Sequence, residues 1–282
     1  MIYGLAAALG WGVADFGAAV VGRRLGSLPT VVIAQVAGLL TLLVIVLVVR
    51  PAWDLSPGVV AGIAANGVIA AAAYLLLYRS LEMGPVALVS PIVAAYAVIT
   101  IALAIVFLGE ALPGIVLAGA LVTVAGVVLT STDLRQLGRP GRSRQTGLRY
   151  ALGSMALFGV ATFLLGFYSQ EVGWLPSLTL SRISTTTVLV VVGLLVRPPI
   201  RRAAAGAVLG AVVVGIADVL GGAAYARGTE LGFVSVVSAA SATFTLLPVT
   251  GGVIFLKERP ALSQGVGVLL VVAGLLMLGL GG

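Results

Sequence analysis

Ten apolar stretches of roughly 20 residues each take up nearly the whole chain, which removes most folds from consideration. A bilayer-spanning helix needs about 20 mostly apolar residues. The stretches run near 2–22, 29–49, 58–80, 86–107, 112–131, 148–170, 174–196, 204–226, 231–256 and 262–281. Among 282 residues there are only 16 Lys or Arg and 9 Asp or Glu, and mean hydropathy is +1.21. A soluble domain carries roughly a quarter charged residues. So sparse a charge cannot cover a water-facing surface. It excludes a cytosolic globular enzyme, a disordered chain and a nucleic-acid binder, and it predicts an all-α polytopic membrane protein with ten transmembrane helices.

The breaks between stretches carry turn or charge signals: Arg23-Arg24, Arg50-Pro51, Glu82-Met83-Gly84-Pro85, Gly109-Glu110 and Arg197-Pro198-Pro199. The first stretch lacks a basic leader and is long enough to span, so it is expected to be a true span and not a cleaved signal. One hydrophilic connection stands out. Residues 132–147 are rich in Arg, Gly, Ser and Gln, and predict a flexible basic linker between two halves.

Two absences limit the chemistry. Without cysteine there is no disulfide, thiolate nucleophile or Cys-based metal site. Without histidine the commonest metal ligand and general base are gone. No Gly-x-x-x-x-Gly-Lys-Ser/Thr occurs, so ATP hydrolysis is not the expected energy source.

The halves repeat. At a shift of 147, Trp11-Gly12 meets Phe158-Gly159, Gly26-Ser27-Leu28-Pro29 meets Gly173-Trp174-Leu175-Pro176, and Arg50-Pro51 meets Arg197-Pro198. At a shift of 148, Arg79, Glu82 and Gly84 meet Arg227, Glu230 and Gly232, and Phe107-Leu108-x-Glu110 meets Phe255-Leu256-x-Glu258. Shared apolar composition would match Leu, Val and Ala; it would not match Arg, Glu and Pro in register. Residues 1–131 and 148–282 are therefore read as two five-helix repeats joined by 132–147. Five spans is an odd number, so the second repeat enters the membrane from the opposite side. Inverted repeats are a common build for secondary transporters, with the substrate site near the midplane between them.

Ten spans, the 5+5 duplication, Trp11-Gly12, and Gly109-Glu110 with Lys257-Glu258 at the fourth–fifth and ninth–tenth junctions resemble the drug/metabolite transporter superfamily, EamA type. The resemblance covers nearly the whole chain. It implies a cofactor-free carrier, usually an exporter of amino acids, metabolites or drugs. The second copy departs from the pattern where Gly109 becomes Lys257.

Basic residues in short loops stay cytoplasmic. With spans alternating in direction, the face carrying both termini holds Arg50 and Arg227. The other holds Arg23, Arg24, Arg79, Arg135, Arg139, Arg142, Arg144, Arg149, Arg197, Arg201, Arg202, Lys257 and Arg259. The expectation is a multi-pass cell-membrane protein with both termini extracytoplasmic.

A charge at the bilayer centre costs roughly 2.5–3.5 kcal/mol on insertion scales, so Asp15, Gln35, Asn66, Arg182 and Asp218 each need a reason. At about 1.5 Å per residue, Arg182 and Asp218 lie about 12 and 13 Å from the outer ends of their spans and can pair. Such a pair either satisfies itself structurally or lines a cavity. Asn66 sits at a similar depth. Asp15 and Gln35 fall nearer the inner side, about 10 Å from the ends of their spans. Asp15 can carry a coupling proton or hydrogen-bond to Gln35, and Gln35 and Asn66 suit helix–helix hydrogen bonds. Glu110 and Glu258 precede helix starts, where a carboxylate is favoured by the helix dipole. Arg79–Glu82 and Arg227–Glu230 have i,i+3 spacing for interfacial pairs.

Aromatics give a second set of candidates: Trp11, Tyr74, Tyr78, Tyr96 and Phe244. In an apolar helix setting a single aromatic more often packs than contacts a ligand, and the symmetric central pair is the exception to favour. Tyr96 and Phe244 stand at the centres of the fourth and ninth spans and are equivalent under the repeat. Pro91 and Pro248 loosen those same spans, and the freed carbonyls must face protein or a cavity.

The chain is thus expected to be a secondary active transporter. It would export small amphipathic metabolites, amino acids or drugs by alternating access, and it would not be an enzyme. Expected substrate-binding residues are Trp11, Tyr74, Tyr78, Tyr96, Arg182, Asp218 and Phe244, with Asp15, Gln35 and Asn66 as a coupling or polar network. No metal or cofactor is expected. Its partners would be a small-molecule substrate and the lipid bilayer, not nucleic acid, and a monomeric state is left open. The alternative readings are a channel or structural membrane subunit and, last, an intramembrane enzyme.

Overall fold

A computed structural model of the chain describes residues 1–111, 113–131, 142–197, 205–258 and 262–280, and among these there is helix and no strand. In chain order the α-helices are α1 (Ile2–Leu25), α2 (Ser27–Val49), α3 (Pro57–Met83), α4 (Val86–Ala94), α5 (Tyr96–Leu108), α6 (Gly114–Ser131), α7 (Arg142–Val172), α8 (Trp174–Val196), α9 (Ala205–Leu231), α10 (Val234–Ser241), α11 (Leu246–Ile254) and α12 (Leu262–Leu280). Eight helices, with α4–α5 and α10–α11 each taken as one, are long and apolar enough to cross a membrane. Two shorter apolar runs, Gly114–Gly126 and Gly265–Met277, lie in α6 and α12.

The exposed surface fits a bilayer. Leu47, Val48, Val106, Phe107, Leu194, Leu195 and Phe255 are each more than two-thirds exposed. Water would not tolerate such a continuous apolar coat, whereas lipid does. The interior instead holds small and polar residues. Backbones approach closely where side chains are absent: a Cβ on Gly126 would lie 2.8 Å from the Gly267 carbonyl, and one on Gly274 would lie 2.7 Å from the Gly119 carbonyl.

Three sequence expectations are amended. The fourth and ninth stretches are interrupted helices. α4 gives way to α5 at Ala95, whose N–H is shared between the Pro91 and Ile92 carbonyls. α10 passes into α11 through a 3-10 turn, Ala242–Thr245. Pro248 has no N–H to bond the Phe244 carbonyl, so a regular helix cannot run through that turn. The two interruptions coincide at a shift of 148. The basic linker is also shorter than expected. Residues 132–141 lie outside the described residues, and α7 already begins at Arg142. Arg135 and Arg139 therefore fall outside the description, as do Arg201, Arg202 and Arg259.

Helix neighbours exchange in pairs. α1 packs along α9 as α7 packs along α3, and α2 lies on α9 as α8 lies on α3. α6 packs on α12, its own counterpart. The connections match as well. Left-handed backbone occurs at Gly26 (φ 92) and Gly173 (φ 89), at Arg50 (φ 49) and Arg197 (φ 44), and at Gly109 (φ 67) and Lys257 (φ 54). The last pair is instructive. Lys257 adopts the turn that Gly109 adopts freely, at a cost of roughly 1–2 kcal/mol for a residue with a Cβ.

Candidate functional site

Helices α1, α3, α7, α8 and α9 and the two interruptions line a partly open cavity of about 100 Å³. Trp11, Asp15, Asn66, Tyr74, Tyr96, Arg182, Asp218 and Phe244 all line it. Gln35 and Tyr78 do not. Gln35 is fully buried behind Arg182, and Tyr78 packs edge-on to Tyr74, with ring centroids 6.5 Å apart.

One wall is a four-residue polar network drawn from four helices. The Arg182 guanidinium donates to Asp218 Oδ2 at 2.7 Å and to Gln35 Oε1. The Tyr74 hydroxyl donates to Asp218 Oδ1 at 2.8 Å, and the Gln35 amide donates to Asp218 Oδ2 at 3.5 Å. The guanidinium carbon lies 5.9 Å from the Tyr74 ring centroid. Asp218 thus accepts three donors, and Arg182 has both a counter-charge and a neutral acceptor. A buried charge is tolerable only with such complete pairing.

The depths inferred from sequence were too far apart for Gln35. It partners Arg182 and Asp218, not Asp15. Gln35 and Arg182 each stand eight residues into their helices, α2 and α8, which enter from opposite ends. At about 1.5 Å per residue, a hydrocarbon core of about 30 Å leaves roughly 6 Å between their levels, a gap two long side chains close.

Asp15 stands apart from that network, with the Ser90 hydroxyl beside it. It is 8% exposed, and its Oδ2 has no hydrogen-bond partner among the described residues. Asn66 donates to Ser181 Oγ at 3.5 Å across α3 and α8, while its Oδ1 is unpartnered.

The other wall is aromatic. Tyr96 and Phe244 stack with centroids 6.4 Å apart and planes 18° apart, and Trp11 stands edge-on to both at 6.3 and 6.5 Å. The Tyr96 hydroxyl pairs with Ser241 Oγ at 2.7 Å. Phe158 meets Tyr74 edge-on at 5.0 Å. Both rings of the stacked pair sit at the helix interruptions, where the backbone is loosened.

Sequence reasoning missed Phe158 and Thr162, which line the cavity as the repeat counterparts of Trp11 and Asp15 at a shift of 147. It also missed Ala70 and Gly222, the counterparts of Asp218 and Tyr74 at a shift of 148. The register that finds them was already available. Carrying every candidate across it would have named all four.

The two glutamates behave differently from the sequence expectation. Neither serves the helix that follows it. Glu110, on the α5–α6 connection, accepts the N–H groups of Val234 at 2.8 Å and Ser235 at 3.0 Å, and the Ser235 hydroxyl. It therefore caps α10. Glu258, on the α11–α12 connection, accepts the N–H groups of Val86 at 3.0 Å and Ala87 at 2.9 Å, and so caps α4. Each carboxylate grips the interrupted helix of the opposite half, at opposite ends of the bundle. The ends differ in charge. Arg23 pairs with Glu258 at 2.8 Å and also donates to the Gly84 carbonyl at 3.3 Å. Its counterpart Gln170 donates to the Gly232 carbonyl at 3.1 Å and brings no cation to Glu110. The expected i,i+3 pairs Arg79–Glu82 and Arg227–Glu230 are both formed.

The family model described as "EamA-like transporter family" matches residues 1–132. No curated protein matches the chain. A solved structure described only as "Crystal structure of protein" is 18% identical, with a TM-score of 0.71 over 99% of this chain and 96% of that one. At that identity the likeness shows a shared fold.

Proposed function

We propose, from the match of residues 1–132 to the EamA-like transporter family model, that the chain is a secondary active transporter working by alternating access. Residues 1–131 and 148–282 are its inverted repeats, ten helices cross the membrane, and the cargo is a small amphipathic metabolite, amino acid or drug moving outward. The observation that carries this reading is the central cavity. Its lining draws counterpart positions from both halves: Trp11 with Phe158, Asp15 with Thr162, Ala70 with Asp218, Tyr74 with Gly222, and Tyr96 with Phe244. The exchanged helix pairings and the matched left-handed turns support two halves of equal build. Two such halves can swap conformations and so present one site to either face.

Within this reading the Arg182–Asp218–Gln35–Tyr74 network braces the wall, the aromatic cluster holds apolar cargo, and Asp15 is the group available to a coupling proton. The test is transport into vesicles reconstituted with the purified chain. A carrier gives saturable flux that competing cargo inhibits. Flux faster than any conformational cycle indicates a channel, and no flux for any cargo that binds indicates a structural subunit.

Orientation follows from the basic asymmetry. A reporter fused after Gly282 is expected outside the cytoplasm, because Arg50 and Arg227 stand alone on that face. A cytoplasmic signal reverses the assignment of faces and leaves the repeats untouched.

The stacked pair supplies another expected result. Truncating an aromatic that merely packs costs roughly 3–5 kcal/mol. Tyr96→Ala and Phe244→Ala should instead keep folded yield and change apparent affinity or cargo preference. Tyr96→Phe, which removes only the bond to Ser241, should do little. Because the chain has no cysteine, a single Cys at 96 or 244 can be titrated with a small water-soluble thiol reagent. Protection by saturating cargo is expected; inaccessibility from both faces removes the pair from the site.

A further inference from the structure

We propose that the cargo presents a single positive charge, an amine or quaternary ammonium, to Asp15, with its apolar part against Trp11, Tyr96 and Phe244. The proposal rests on the carrier reading above and narrows it to a substrate class.

Charge on the lining points this way. Asp15, Arg182 and Asp218 are the charged residues on the cavity wall. Arg182 is committed to Asp218 and Gln35, so one negative charge is left over, on Asp15. Hydrogen bonding points the same way. The unpartnered polar atoms of Asp15 and Asn66 are Oδ2 and Oδ1, both acceptors. Two wall hydroxyls are committed to backbone, Thr185 donating to the Gly67 carbonyl at 2.8 Å and Thr162 to the Phe158 carbonyl at 2.6 Å, and the Ser90 hydroxyl beside Asp15 is a neutral donor that leaves its charge unmatched. Among the described residues the wall therefore offers acceptors without matching donors, and its one cation, Arg182, is already paired. A carboxylate cargo would bring a second uncompensated charge beside Asp15, and a buried unpaired charge is costly. An ammonium supplies the missing charge and the missing donors together.

Geometry adds the apolar half. Trp11 and Asp15 are one turn apart on α1 and so share a face. Trp11 stands edge-on to the Tyr96–Phe244 stack. Aromatic faces attract a cation, by about 0.5–1 kcal/mol in water and more when it is desolvated. A bare inorganic dication asks for about six to eight oxygen ligands. Two free oxygens among rings cannot meet that, but they suit an organic cation with an apolar body.

The experiment uses three probes of one shape: 2-phenylethylammonium, 2-phenylethanol and 3-phenylpropanoate. Binding to the full chain in detergent is read from Trp11 fluorescence in a Trp53→Phe/Trp174→Phe background. This leaves one of the three indoles. The ammonium is expected to bind at least about tenfold more tightly than the other two, a difference of about 1.4 kcal/mol. Asp15→Asn should erase that preference. Equal or tighter binding of the alcohol or the anion overturns the proposal. So does a preference that survives Asp15→Asn, or no saturable binding of any probe at millimolar concentration. If Asp15→Asn does not fold, the ranking on the unsubstituted wall decides alone. Failure of the carrier reading looks different. Preferred ammonium binding without saturable vesicle flux sinks the carrier and leaves the charge preference, whereas saturable flux of neutral or anionic solute with the ammonium ignored does the reverse.

Discussion

Arg182→Ala and Asp218→Ala should each lose most folded protein. Each strips one partner from a buried ion pair and strands the other charge, which typically costs 3–5 kcal/mol. The loss should be larger for Arg182→Ala. Without the guanidinium, Asp218 keeps only the Tyr74 hydroxyl and a long bond from Gln35, and the Gln35 carbonyl oxygen loses its donor as well. The exchanged variant Arg182→Asp/Asp218→Arg keeps the pair and yet should recover only part of the loss. Its network has a direction, because the Tyr74 hydroxyl and the Gln35 amide both aim donors at position 218, where a guanidinium would now meet them. Adding Tyr74→Phe to the exchanged pair removes one of those clashes and should improve recovery. Folded yield and thermal midpoint in detergent measure this. Wild-type midpoints in both single variants would show that the pair braces nothing.

How much of this was legible beforehand depended on what each signal encodes. The spans were readable because bilayer thickness sets helix length directly. The internal register was readable because Arg, Glu and Pro recur in it, and it pairs the helix interruptions and the positive-φ turns of the structure. Arg182 and Asp218 could be paired from depth alone, since both stand about the same distance from one face. Gln35 was misjudged because depth along an axis ignores how far a side chain reaches. The interruption before Pro248 was signalled by the proline, but the matching one at Ala95 falls four residues past Pro91 and has no sequence mark of its own. Phe158 and Thr162 were hidden in plain register. Neither carries a charge, so symmetry with Trp11 and Asp15 is the signal that marks them. The role of the glutamates was not legible at all. A carboxylate before a helix start reads as local, and only the three-dimensional exchange of halves brings Glu110 to Val234 and Glu258 to Val86.

That exchange makes Glu110→Gln and Glu258→Gln an opposed pair of perturbations. Each carboxylate holds two backbone N–H groups of the interrupted helix across the bundle. Glutamine can accept one of them and must turn its amide donors toward the other. Losing one charge-assisted bond at a buried site costs roughly 1.5–3 kcal/mol. If alternating access requires each grip to open in turn, weakening one grip favours the state open at that end by roughly tenfold to a hundredfold. Glu110→Gln should act at the end that carries Met1, and Glu258→Gln at the end that carries Arg23. The Glu110 effect should be the larger. Glu258 retains an Arg23 attraction that a glutamine weakens but whose second bond, to the Gly84 carbonyl, persists. Glu110 has no such cation and depends wholly on helix and hydroxyl donors. The reading is the ratio of labelling from the two sides of the membrane at Ala70→Cys, a small cavity-lining position in a chain otherwise free of cysteine. An impermeant thiol reagent, applied to intact cells and to inverted vesicles, should give ratios displaced in opposite directions by the two variants. Displacement in the same direction, or none with folded protein in hand, would mean that the glutamates fasten the halves without governing which face is open.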